Sequence, residues 1–375
     1  MARIVIVGSG FGALTAVREL RRRQPDAELV LVAPRPELVY YASLIWVPTG
    51  LRRGASLAVD VSRFLQRQRV DYRAARATGL ADAGRTLLTT VGPIANDGLL
   101  IASGPRFLKK LPGIEHSLSL CAGIAAAEAI RERLAAMDGG RIAVGFGANP
   151  AETTAVRGGP MFELLFGIDT WLRRQRTRER FTLTFFNASS QPGQRLGERA
   201  VTRLLAEMRR RGIETRLGHT ILGFEADRVR TEGGDVGADL ILFMPGLTGS
   251  DWLEDSGLPL SAGGFVQADA RCRVPGHARV YVVGDAGSFP GPDWLPKQGH
   301  QADLQARAAA ANLVAELRGE SPRTPFKAEL ICIVDTLDGG VLVQRTPTRM
   351  RVHASPLWHW AKRYFEWQYL RAYRR

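Results

Sequence analysis

Cysteine is scarce in these 375 residues: Cys121, Cys272 and Cys332 are the only three, they lie far apart, and no CxxC pair occurs. Neither a disulfide framework nor a thiolate zinc site is indicated, which leaves the thiols a redox role or none. The six histidines form no HExxH cluster, and GxSxG and kinase-type signatures are missing, so hydrolase and metal chemistry are set aside. No apolar run approaches the roughly 18–20 residues of a membrane-spanning helix. The chain opens as Met1-Ala2-Arg3 directly before Ile4-Val-Ile-Val7, too short a lead for a secretory signal, and a cytoplasmic location is expected.

Lysine is scarce too. Of 51 basic residues all but five are arginine, and against 37 acidic ones they leave a net charge of +14. An anionic partner follows weakly. Zinc-finger spacing, RNP-like aromatic strands and a continuous basic helix are lacking, so nucleic acid is not expected. An anionic membrane surface fits better. The C-terminal stretch interleaves Trp358, Trp360, Tyr364, Phe365, Trp367, Tyr369 and Tyr373 with Lys362, Arg363, Arg371, Arg374 and Arg375, a mixture favoured at the headgroup boundary. A helix docked on its own protein is the competing reading.

Composition, at 45% hydrophobic with 40 Gly and 20 Pro, is that of an α/β protein, and the length allows two or three domains. Residues 3–33 read as strand, turn, helix and strand. In Gly8-Ser9-Gly10-Phe11-Gly12-Ala13 the glycines permit a tight turn and close approach of a pyrophosphate to a helix N-terminus, whose free N–H groups and dipole favour anions. The acidic residue that ordinarily holds the ribose would fall at Ala33, so the ribose contact passes to another group, for which Arg35 is the candidate.

A short apolar strand ends in Ala102-Ser103-Gly104, where backbone must pass close to something bulky. A second α/β region follows Pro112-Gly113. The runs 238–244 and 280–283 then read as strands that rejoin the first domain, followed by a helix near 301–317. Gly284-Asp285, after the last strand, offers a carboxylate for a ribityl hydroxyl, or is merely an Asp-capped turn. The expected boundaries are 1–112 with 238–320 for the first domain, 113–237 for the inserted one, and 321–375 for a C-terminal region.

These pieces together resemble the pyridine-nucleotide–disulfide oxidoreductase superfamily. The resemblance implies two Rossmann-like dinucleotide-binding domains, with FAD in the first, split one. Pro296-Lys297-Gln-Gly-His300, Gly159-Pro160-Met-Phe-Glu163, Cys332 within 330–335, and the tail 359–370 look more closely like a sulfide:quinone oxidoreductase over nearly the whole chain. By that resemblance Cys332 is one member of the redox pair beside the flavin and Cys121 a third family cysteine. The second member is missing, and Arg157 stands roughly in its place. Carrying zero-valent sulfur between two thiols needs both of them.

What the resemblance further implies is transfer of two electrons from a small inorganic sulfur donor to a quinone by a peripheral protein on the cytoplasmic face, with homo-oligomers possible. Lys297 is expected to stabilise reduced flavin. Glu163 is expected to relay protons if burial raises its pKa, and otherwise is an exposed first-turn glutamate. Gln301 and Gln305, four apart on one helical face, resemble the quinone-site pair of type II NADH:quinone oxidoreductases, or form a solvated stripe. NADH is the alternative donor, although Gly145-x-Gly147-x-x-Pro150 replaces the last glycine of a second phosphate turn. A flavin-binding redox sensor without turnover is the alternative from another class.

Overall fold

The computed structural model describes residues 1–374 with the exception of Cys121, so the expectation for that cysteine lies outside the described residues. The strand Arg3–Val7 is buried on both faces, as its unbroken run of β-branched residues requires, and therefore sits in the middle of a parallel sheet. That sheet has five strands in the order Val280–Val282, Gly98–Ile101, Arg3–Val7, Glu28–Ala33 and Val70–Ala74, all parallel. The helices Phe11–Arg23 and Gly299–Leu317 cover one face, joining Leu14, Val17 and Leu20 to Ala306, Ala310 and Leu313 in one core. The other face carries a small antiparallel sheet through Leu87 and Leu80.

A second parallel sheet runs Glu214–Leu217, Phe181–Asn187, Gly140–Phe146 and Leu240–Met244. Its core includes the helices Ile124–Ala135, Gly159–Arg174 and Glu198–Arg210. The strand Leu240–Met244 corrects the sequence reading: it pairs with Ile142–Phe146 and not with the first sheet. The crossing back comes after Met244, where Leu247–Thr248 pairs antiparallel with Arg106–Phe107. Five consecutive buried apolar residues fit the centre of either sheet, so the run itself carries no sign of which one it joins.

Three antiparallel strands, Leu330–Asp335, Gly340–Arg345 and Met350–Ser355, precede the C-terminal helix Leu357–Arg374. That helix packs one face on its own protein. His359, Glu366, Leu370 and Tyr373 are buried, whereas Leu357, Trp360, Tyr364, Phe365 and Trp367 are exposed. Glu366 accepts from Arg52 Nε at 2.9 Å and from Ser43 Oγ at 2.9 Å, Tyr369 donates to Asp303 Oδ1 at 3.3 Å, and Arg374 donates to the Ser56 carbonyl at 2.6 Å. The helix is therefore docked on its inner face and aromatic on its outer one.

Candidate active site

The glycine turn ends the central strand of the first sheet. Gly8 has φ +115°, and a Cβ there would lie 2.3 Å from the Ala102 carbonyl oxygen, so only glycine fits. Gly10 caps the helix Phe11–Arg23 and has open space where a side chain would be; Gly12 faces Val283, and Ala13 is fully buried. Ser9 Oγ donates to the Glu37 carbonyl, which fixes the turn against the next connection. Phe11 packs at 5.6 Å from Tyr40 and 5.2 Å from Tyr369 of the C-terminal helix.

The turn opens into a cavity of about 1640 Å³. Ala102, Ser103, Gly104, Arg35, Gly284, Asp285 and Lys297 all line it. Its fit to FAD rests on three features. Among the described residues, none occupies the space beside Gly10 and Gly104, the buried Ser103 hydroxyl has no hydrogen-bond partner, and the uncapped helix N-terminus leaves first-turn N–H groups for a pyrophosphate. Arg35 is exposed at the cavity's edge, with its guanidinium 3.7 Å from the Glu37 carboxylate.

Asp285 pairs with Arg157, and the Lys297 ammonium donates to the carbonyls of Asp285 at 3.3 Å and Gly287 at 2.8 Å. Lys297 also sits 3.7 Å above the Phe265 ring. Burial pushes its pKa down to about 7; Glu152 pulls the other way, while Arg195 and Arg157 lower it further.

Elsewhere in the same cavity Cys332, Glu163 and Lys362 come together. The helix Gly159–Arg174 turns Glu163 inward, where its carboxylate accepts from the Asp335 N–H at 3.1 Å and pairs with Lys362 of the C-terminal helix. Burial raises the Glu163 pKa to about 7 despite that cation. Asp335 in turn meets His359 Nδ1 at 2.8 Å, so the C-terminal helix brings two basic groups to two buried acids. Cys332 lies near Gly159, and burial, reinforced by Glu163, pushes its thiol up to about 12. It is a thiol at neutral pH, not a thiolate.

The structure does not gather every expected residue here. Both glutamine amides are bonded to backbone: Gln301 bridges the Lys327 carbonyl and the Glu329 N–H at 3.1 Å each, and Gln305 accepts from the Gly284 N–H at 2.8 Å. Gln301 and Gln305 are 1% and 2% exposed and neither lines the large cavity, which corrects both the quinone and the solvated-stripe readings. They share a helical face as their spacing requires, but that face is the packed one. Sequence reasoning missed the pairing of Lys362 with Glu163 and of His359 with Asp335. The spacing of His359, Lys362, Glu366, Leu370 and Tyr373 by threes and fours marks one helical face and was the available signal.

Where a second phosphate turn would stand, residues 147–158 form a loop between the strand Gly140–Phe146 and the helix Gly159–Arg174. Asn149 Nδ2 pins it to the carbonyls of Leu247 at 2.9 Å and Gly263 at 3.3 Å. Among the described residues no helix begins directly after the strand, and the next one starts only at Gly159.

Residues 2–306 match the family model described as pyridine nucleotide-disulphide oxidoreductase. The sulfide-quinone reductase of Aquifex aeolicus is 24% identical over 88% of this chain and 80% of its own. The type II NADH:quinone oxidoreductase Ndh of Mycobacterium tuberculosis is 27% identical over 87% of this chain and 75% of its own. The crystal structure of the Aquifex aeolicus sulfide:quinone oxidoreductase superposes with a TM-score of 0.91 at 22% identity, covering 100% of this chain and 92% of that one. Glycine turn, cavity and whole-chain similarity agree: the chain belongs to the pyridine nucleotide-disulphide oxidoreductase family and is an FAD-dependent oxidoreductase.

Proposed function

We propose that the protein transfers two electrons from a small donor, sulfide or a related sulfur compound, to a membrane quinone. One observation carries the reading. The cavity that begins at the glycine turn also takes in Glu163, Cys332, Lys362 and Phe365, and Phe365 belongs to the helix whose outer face is aromatic. An apolar acceptor dissolved in a bilayer would meet the cavity at that helix. Bound FAD supplies the two-electron chemistry. Glu163, buried beside Lys362, holds a proton for the acceptor, and Asp303, whose pKa burial raises to about 6, accepts from Thr15 Oγ1 at 2.6 Å and Tyr369, holding the helix against the glycine-turn domain.

A small donor is favoured by the loop 147–158, which stands where a second phosphate-binding turn would begin. Arg157 stands roughly where the family's second redox cysteine is expected, and it pairs with Asp285. NADH remains the second reading, favoured by the similarity to the mycobacterial NADH:quinone oxidoreductase and by Arg157 standing where the sequence would carry the second redox cysteine. Anaerobic stopped-flow mixing with each donor separates them: sulfide is expected to bleach the flavin absorbance, and bleaching by NADH alone would overturn the sulfide reading.

Attachment to the cytoplasmic face of the membrane belongs to the same proposal. Among the described residues no helix is long and apolar enough to cross a bilayer. Trp360 and Trp367 lie outward at 62% and 51% exposure, with the Arg363 and Arg371 guanidinium groups over their rings. Deleting the helix would also remove Leu370 and Tyr373 from the core, so point substitutions are the cleaner test. Trp360→Ser with Trp367→Ser should leave the melting temperature unchanged and reduce flotation with anionic liposomes about tenfold or more, as loss of two interfacial indoles implies. Undiminished flotation would contradict attachment through this face.

A further inference from the structure

Arg157 ends the loop that leaves the second sheet, and Asp285 follows the strand Val280–Val282 of the first. Their ion pair therefore joins the two sheets at the cofactor cavity, and both side chains are largely withdrawn from solvent, at 21% and 9% exposure. Lys297 ties the same turn from the other side through the Asp285 and Gly287 carbonyls. The charged groups here include the cations Arg157, Lys297 and Arg195 and the carboxylates Asp285, Glu152 and Asp293. Arg195 donates to the carbonyls of Val156 and Leu295, and Glu152 accepts from the hydroxyls of Ser261 and Ser288. Arg157 is the cation paired directly with Asp285, and in a partly desolvated wall a fixed charge acts over several ångströms.

We propose that Arg157 positions Asp285 for the bound flavin and, by its charge, raises the flavin's tendency to accept electrons. The inference rests on flavin binding alone and is indifferent to the identity of the donor. A two-electron reduction adds negative charge to the cofactor, which a fixed cation beside it stabilises. Removing the guanidinium does more than delete one positive charge, because it leaves the Asp285 carboxylate unbalanced in the same wall. Both effects disfavour reduction.

The test is the flavin midpoint potential of the FAD-loaded protein, measured by equilibration with a reference dye in Arg157→Gln, Arg157→Met and Arg157→Lys. The two neutral variants should show at least a tenfold lower ratio of reduced to oxidised flavin at a fixed potential, a shift of about 30 mV for a two-electron couple. Arg157→Lys, which keeps the charge, should retain most of the wild-type potential. Two neutral variants of different polarity keep the measurement available if one folds poorly. FAD dissociation is followed in parallel. Faster loss of FAD with an unmoved potential in the neutral variants would reduce Arg157 to a strut and overturn the charge effect, as would an equal fall in Arg157→Lys.

Discussion

Glu163→Gln is expected to lower quinone reduction by about 10²- to 10⁴-fold, the usual worth of a positioned proton donor, while leaving reduction of the flavin by its donor nearly unchanged. The asymmetry follows from where the carboxyl sits. Burial is the main cause that brings its pKa to about 7; Lys362 pulls it down and Asp335 pushes it up. Below that pH the group carries a proton to give, and above it the proton is gone. Quinone reduction should therefore fall as pH rises through about 7, and the Gln variant should lose that dependence. The stability effect has the same origin. Because the folded-state value lies above the ordinary 4.5, ionising Glu163 costs stability from that value upward, and the full cost is reached once pH passes about 7. The Gln variant, free of this cost, should melt with less pH dependence across that window. Equal loss of both half-reactions would mean that the substitution damages the cavity as a whole.

Two alanine substitutions in the glycine turn should part company. Gly10→Ala places its methyl in space that no protein atom occupies, at an ordinary φ of −83°, so the apo-protein should melt as the wild type does. Its FAD affinity should fall by roughly tenfold or more, because the pyrophosphate comes to that backbone. Gly8→Ala, with φ +115° and the Ala102 carbonyl oxygen 2.3 Å from the new methyl, must push apart the ends of the strands Arg3–Val7 and Gly98–Ile101. It should lower stability itself by about 1–3 kcal/mol, the cost of a residue held in strained backbone. Calorimetric melting of the apo-proteins and FAD titration read the two effects separately. If Gly10→Ala binds FAD normally, the turn is structural.

How legible each feature was depends on whether its cause was local. The turn Gly8–Ala13 could be read because a strand, close backbone approach and a helix start must follow each other within a few residues. Cys332 and Glu163 were legible through family resemblance, and the structure brings them together in one cavity. The strand Leu240–Met244 was assigned to the wrong sheet because an all-buried run shows no preferred face. Gln301 and Gln305 were read as site residues because spacing fixes a helical face but not what that face meets; here the helix Gly299–Leu317 buries it against the Lys327–Glu329 backbone and the Gly284 turn. The Lys362–Glu163 contact joins residues 199 apart, and nothing in either local sequence names the other. In the tail one helix buries Leu370 and Tyr373 while presenting Trp360 and Trp367, so the docked face could not be told from the outer one by composition alone.

Electrons held on this protein's flavin are expected to pass to a quinone. The most direct measurement reduces the FAD-loaded protein with a stoichiometric chemical reductant in the absence of oxygen and mixes it with a short-chain quinone while the flavin absorbance is recorded. The account predicts complete return of the oxidised spectrum with one quinone consumed per flavin, slowed at least a hundredfold in Glu163→Gln. A flavin that stays reduced in the presence of excess quinone would contradict it.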